Sequence, residues 1–110
     1  MEEFVKGDVV VLPFPFSDLS KSKKRPALVV ATLEGDDVIL CQITSEARVD
    51  DYSILLSDDD FKSGSLNLTS MIRPNRLFTA DKSIILYKIG SIKETKIKEI
   101  EKEIVKIFTK

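Results

Sequence analysis

Pro26-Ala-Leu-Val-Val-Ala-Thr32, then Glu34-Gly35-Asp36, then Val38-Ile-Leu-Cys-Gln-Ile-Thr44 decide the fold. Two runs of continuous apolar character, joined by a short turn signal, read as an antiparallel hairpin, with the first strand buried on both faces. Working upstream, Gly7-Asp8 turns the chain into Val9 to Pro13. There the prolines exclude central-strand hydrogen bonding and end the strand in a loop from Pro15 to Lys24. Working downstream, Ser53-Ile-Leu-Leu56, Ser70-Met-Ile-Arg73, Leu77 to Thr79 and Ile84 to Ile89 are further short strands, the second made brief or bulged by Pro74. Ser57 before Asp58, Asp59 and Asp60 offers an N-cap for a single helical turn to Phe61, and Gly64 to Thr69 reads as loop. Strand following strand is the order of a small barrel or curled sheet.

The period changes at the C-terminus. Ile97, Ile100, Ile104, Ile107 and Phe108 recur at three- and four-residue spacing among Lys and Glu, which predicts an amphipathic helix from about Lys93 to Thr109. Glu94 and Lys98 stand at i,i+4, and Ser91 with Glu94 has capping-box spacing, although Lys93 serves equally as the first helical residue. The isoleucine stripe is expected to pack on the chain's own sheet, with part of it available for a dimer contact. The whole reads as one mainly β domain with α (α+β) over 1–110, a chain of 110 residues holding one hydrophobic core. No apolar segment is long enough to span a bilayer, and the start, Met1-Glu2-Glu3-Phe4, does not look like a secretory signal, so the expected location is cytoplasmic, without membrane contact.

Composition narrows the chemistry. With no histidine and one cysteine, Cys41, a single chain has no Ser-His-Asp or Cys-His relay, no His-containing zinc site and no internal disulfide. A metal held by carboxylates alone stays possible, although the three consecutive aspartates Asp58, Asp59 and Asp60 lack the alternating spacing of a Ca²⁺ loop; no cofactor is expected. Net charge of −1 argues against binding nucleic acid by bulk charge. The distribution says more: Ser20 to Arg25 holds Lys21, Lys23, Lys24 and Arg25 without an acid, a cationic loop on a mildly acidic body.

Arg25-Pro26 stands where that loop meets a buried strand, so the proline stiffens the backbone beside a guanidinium at the mouth of the sheet. Thr44-Ser45 ends the hairpin partner of this strand, which brings both hydroxyls toward Arg25. Arg73 and Arg76 flank Pro74-Asn75 and add two planar donors suited to phosphate. Each feature is ordinary alone; their convergence gives a cluster able to hold a phosphodiester and to stabilise a pentacoordinate transition state without metal or histidine.

Gly7-Asp8-Val-Val-Val-Leu-Pro-Phe14, Lys24-Arg25-Pro26-Ala-Leu-Val-Val30, Gln42-Ile-Thr-Ser45, Ser70-Met-Ile-Arg73, Leu77-Phe-Thr-Ala-Asp81 and Lys88-Ile-Gly-Ser-Ile92 before a terminal helix together resemble the MazF/PemK family of toxin endoribonucleases over nearly the whole chain. The resemblance implies an SH3-like small barrel of antiparallel strands with helices and a homodimer. It further implies metal-independent cleavage of single-stranded RNA, often mRNA, and a cognate antitoxin covering the RNA groove, with DNA binding through the antitoxin complex. Attack by the RNA 2′-hydroxyl would leave a cyclic phosphate and a 5′-hydroxyl. Arg25 and Thr44 match the family's catalytic arginine and threonine, and Arg73 matches an arginine some members use. Ser45, Lys21, Lys23, Lys24, Arg76 and Asn75 are the expected substrate-binding groups. An arginine is a poor base, which leaves Arg25 to stabilise the phosphorane, with leaving-group protonation as a further role. Where some members carry an acid this chain has Asn75, and it lacks the first-loop histidine of others; Asp18 is the nearest loop carboxylate, and the base stays open. A non-catalytic RNA- or partner-binding module of the same fold and a gyrase-targeting toxin are the competing readings.

Overall fold

In the computed structural model, residues 3–14, 23–46 and 50–110 are described. Seven antiparallel strands follow one another: β1 (Asp8–Phe14), β2 (Lys23–Thr32), β3 (Asp37–Thr44), β4 (Ile54–Leu56), β5 (Phe61–Gly64), β6 (Ser70–Asp81) and β7 (Tyr87–Ile92). They form one sheet in the order β4-β6-β3-β2-β1-β7-β5, and the helix α1 (Glu94–Thr109) closes the chain. A single apolar cluster draws Val9, Leu28, Cys41, Ile54, Phe61, Ile72 and Ile92 from all seven strands together with Ile97 and Ile100 of α1. Only a sheet curled into a half-barrel brings its two end strands to one core in this way. Val10, Leu12, Ala27, Val29, Val38 and Leu40 alternate with the first set and build a second cluster on the opposite face, closed by Phe4 and Ile85. Burial on both faces explains why these strands read as unbroken apolar runs.

Pro13 and Pro26 fall where a strand is paired on one side only. Pro13 lies opposite Lys24 of β2, beyond the last β1–β7 pair at Val11 and Tyr87. Pro26 lies opposite Val11, beyond the last β2–β3 pair at Ala27 and Gln42. Neither missing N–H therefore leaves a hole in a two-sided ladder.

Several boundaries differ from the sequence reading. Lys23 and Lys24 belong to β2 rather than to the preceding loop, because Phe14 and Pro13 pair with them. At Pro74 the bulged reading holds over the brief one: Gln42 pairs with Arg73 and Cys41 with Leu77, so Pro74, Asn75 and Arg76 bulge out of the ladder and the segments before and after them form one strand, β6. Phe61–Gly64 is a strand on β7, where the sequence reading ended a helical turn at Phe61 and began a loop at Gly64; residues 82–84 form a 3₁₀ turn capped by Asp81, which moves the last strand to Tyr87–Ile92. Before β5, Asp58–Asp60 is the expected single turn; the Asp60 carboxylate accepts from the Ser57 N–H at 2.9 Å.

The helix begins with Lys93 as an extended N-cap, since Ser91 spends its hydroxyl on Asp8 instead of on the helix. Lys96 fastens its first turns: Nζ donates to the Leu55 carbonyl at 3.1 Å and lies 3.6 Å from Asp60 and 3.0 Å from Glu99. Among the described residues Lys96–Glu99 is the ion pair within the helix, in place of the expected Glu94–Lys98. Ile97 and Ile100 are buried against the sheet, Ile104 is half-buried, and Val105 and Phe108 are exposed, Phe108 by 73%. The stripe packs on its own sheet at its start and leaves it towards its end.

Candidate functional site

Register determines which side chains meet. Ala27 pairs with Gln42 and Gln42 pairs with Arg73, so three strands cross at one level. Arg25 and Thr44 each stand two residues beyond Ala27 and Gln42, and strand alternation puts Arg25, Gln42, Thr44 and Arg73 on the face of the second apolar cluster. The hairpin therefore brings the Arg-Pro and Ile-Thr-Ser segments to the same end of the sheet. Lys23 shares the face of Arg25; Lys24, one residue on, takes the other. Ser45 lies exposed just beyond β3. Lys21 and Asp18 lie outside the described residues.

Arg25 is half-buried, and its side chain makes no hydrogen bond or ion pair with another described residue. Thr44 is buried, and its Oγ1 accepts from the Glu46 N–H at 3.1 Å. That bond uses a lone pair and leaves the hydroxyl proton to donate. Arg25 and Thr44 thus offer a cation and a directed donor at one end of the groove.

Arg73 is placed differently from a free phosphate clamp. Its Nη2 lies 3.0 Å from Asp50 Oδ2 in an ion pair, and Asn75 Nδ2 donates to the same oxygen at 2.8 Å. Oδ1 of Asp50 accepts from the Tyr52 N–H at 3.0 Å and the Ser53 hydroxyl at 3.2 Å. Hydrogen bonds from Asn75 above all, then from Arg73, Tyr52 and Ser53, hold the Asp50 carboxyl down to about 2. Asp50 is the group that sequence reasoning missed. Its position six residues after Thr44, opening Asp50-Asp-Tyr-Ser53 with the pattern of an Asx turn, was the available signal.

Arg76, exposed on the bulge, lines a cavity of about 380 Å³ with Gln42, Arg73, Leu77 and Phe78. Phe78 is held edge-on by Phe14, ring centroids 5.1 Å apart. A larger, mainly apolar cavity of about 670 Å³ shares Leu77 and Phe78 with the smaller one and extends between Ile39 and Thr79 on the sheet and Ile104, Val105 and Phe108 of α1. Among the described residues no three His, Cys, Asp or Glu side chains come together as a metal site. No helix among them is long and apolar enough to cross a membrane.

A curled seven-stranded half-barrel with one terminal helix, bearing two arginines and a threonine on one sheet face, defines a small β-barrel protein. More particularly, the chain belongs to the PemK-like, MazF-like toxins of type II toxin–antitoxin systems, whose family model matches residues 5–108. No curated protein matches it significantly in sequence. Solved structures share the fold at low identity. MazF (Form-I) from Deinococcus radiodurans is 17% identical with a TM-score of 0.76, covering 100% of each chain. MazE-MazF (Form-II) from the same organism is 15% identical, TM-score 0.76, covering 99% of this chain and 98% of that one. An endoribonuclease in complex with its cognate antitoxin from a mycobacterial species is 14% identical, TM-score 0.76, covering 96% and 95%.

Proposed function

We propose that the chain is an endoribonuclease toxin that cuts single-stranded RNA, mRNA above all, without a metal ion. The observation that carries this reading is the placement of Arg25, Thr44 and Arg73 on one face of the sheet in a chain of this toxin family. In the proposed step the RNA 2′-oxygen bonds to phosphorus and the bond from phosphorus to the 5′-oxygen breaks. The products are a 2′,3′-cyclic phosphate and a 5′-hydroxyl; the 2′-hydroxyl loses its proton and the leaving oxygen gains one. Arg25 stabilises the charge gathered on the phosphorane and stands as the donor to the leaving oxygen. Thr44 orients the phosphate through its free hydroxyl proton, with Ser45 beside it. Lys23, Arg76 and, through Asp50, Asn75 line the path of the strand. A cognate antitoxin is the proposed protein partner, as in the complexes formed by its structural neighbours. A homodimer is proposed as the working unit, and the exposed Val105 and Phe108 support a contact there.

The test is incubation of purified protein with a long unstructured RNA in EDTA, beside Arg25→Ala, with mapping of fragment ends. Discrete cuts bearing 5′-hydroxyls are expected, slowed about 10²–10³-fold in the variant. Cutting that stops in EDTA overturns the metal-free mechanism, and cutting by Arg25→Ala at the parent's rate overturns the role of Arg25. One observation favours the rival of a non-catalytic RNA-binding module: Asp50 neutralises Arg73, the second arginine of the site. Intact RNA that is nevertheless bound by folded protein would establish that rival.

A further inference from the structure

Asp50 belongs to none of the motifs quoted for the family, yet it accepts from both Arg73 and Asn75. One carboxylate oxygen receives both Arg73 Nη2 at 3.0 Å and Asn75 Nδ2 at 2.8 Å, and the other closes the turn through the Tyr52 N–H and Ser53 hydroxyl. Four hydrogen bonds orient the carboxylate, so it in turn orients whatever it holds. Tyr52, the next but one residue, accepts from Lys110 Nζ at 2.6 Å, which ties the same turn to the end of α1. Asn75 and Arg73 gain most from this support, because Asn75 sits on the bulge and Arg73 at its base, where the β3 ladder stops guiding the chain. Arg73 Nε and Asn75 Oδ1 are also buried and are paired with no described residue, so Asp50 engages only part of each side chain.

We propose that Asp50 is a positioning residue: it holds Arg73 and Asn75 in one orientation and cancels the Arg73 charge, so that Arg73 acts on RNA as an aimed hydrogen-bond donor rather than as a free phosphate clamp. The RNA in this statement rests on the function proposed above. The effect on binding and on turnover then has opposite sign. Removing the carboxylate frees a cation, which tightens binding to a polyanion, and disorders the donor, which slows the chemical step.

Asp50→Ser keeps a side-chain acceptor for the turn but cannot reach Arg73; Asp50→Asn is the second variant should the first fail to fold. The binding probe is a single-stranded 2′-O-methyl RNA, which lacks the nucleophile. Against it, Asp50→Ser is expected to bind more tightly, with a salt dependence steeper by about 0.7, one further phosphate contact. Turnover of ordinary RNA is expected to fall by about tenfold or more. Adding Arg73→Gln should abolish the gain in affinity and slow the reaction no further than Arg73→Gln alone. An unchanged salt slope, or additive losses in the double variant, overturns the proposal, since a purely structural Asp50 would weaken both properties together.

A parent protein that does not cut RNA overturns the nuclease reading instead, and the salt slope still reports on Asp50. If the parent binds no RNA either, nitrogen-15 spectra of Arg73 decide. Separate Nη signals are expected in the parent and averaged ones in Asp50→Ser; signals that stay separate in the variant overturn the proposal.

Discussion

Ser91 Oγ donates to Asp8 Oδ1 across 2.8 Å, joining residues 83 positions apart at the seam between β1 and β7. The other oxygen of Asp8 accepts from the Val5 N–H at 2.9 Å, and Lys88 Nζ lies 3.9 Å away. Asp8 is 2% exposed, and its truncation leaves two part-buried donors without their acceptor. Asp8→Ala is expected to cost about 2–3 kcal/mol in urea denaturation. Ser91→Ala, which strands only one group, is expected to cost less; equal losses would show that the Val5 contact carries no weight.

Gly90 pairs with Gly64, and a Cβ on Gly90 would stand 2.3 Å from the Ser63 carbonyl oxygen. The obstacle is backbone, which cannot rotate aside. Gly90→Ala is expected to destabilise by about 2 kcal/mol, or roughly 10 °C in thermal unfolding for a domain of this size. Gly35, at φ +81° with open space around it, gives the contrast: Gly35→Ala is expected to lose only about 1 kcal/mol, the cost of the left-handed backbone.

Burial pushes the Cys41 thiol up to about 12. At pH 8 the folded protein is expected to react with an aromatic disulfide reagent only as fast as it opens, and stoichiometrically in denaturant. Rapid labelling of the native protein would show that the β3 core is accessible.

The Asp50 carboxyl, held down chiefly by the Asn75 amide, titrates at about 2 when folded, against 3.8 for the unperturbed group. A pKa lowered by folding stabilises the folded state above the unfolded value. The contribution is therefore present at neutral pH, declines below pH 3.8 and is gone once pH has fallen through about 2. Carbon-detected titration of the side chain should give that midpoint and should move it upward in Asn75→Ala. A midpoint unmoved by this substitution would assign the shift to Arg73 instead.

The hairpin of β2 and β3 was legible because two apolar runs and one turn leave little choice of partner, and the Arg25–Thr44 relation follows from that register. The helix was legible through its three- and four-residue spacing. Asp50 was hidden because its contacts with Arg73 and Asn75 span 23 and 25 residues, and no local period encodes such a pairing. Phe61–Gly64 escaped notice because its exposed Lys62, Ser63 and Gly64 carry no strand signal; β7 supplies the pairing that their composition does not. Pro74 left a brief or a bulged strand open, because proline lacks a donor; the bulge is what the ladder shows, and it removes the need for that donor altogether.

That bulge divides the labour along β6. On either side of it, Arg73 and Leu77 keep step with β3, and a change there must answer to the whole ladder. Pro74, Asn75 and Arg76 stand outside the ladder, and of these Arg76 faces solvent at the cavity mouth. New side chains at position 76 alter the wall of the cleft while the count of the strand stays the same. Pro74 is buried and Asn75 is tied to Asp50, so position 76 alone can vary at little risk to folding, one exposed station on a strand whose other residues are spoken for.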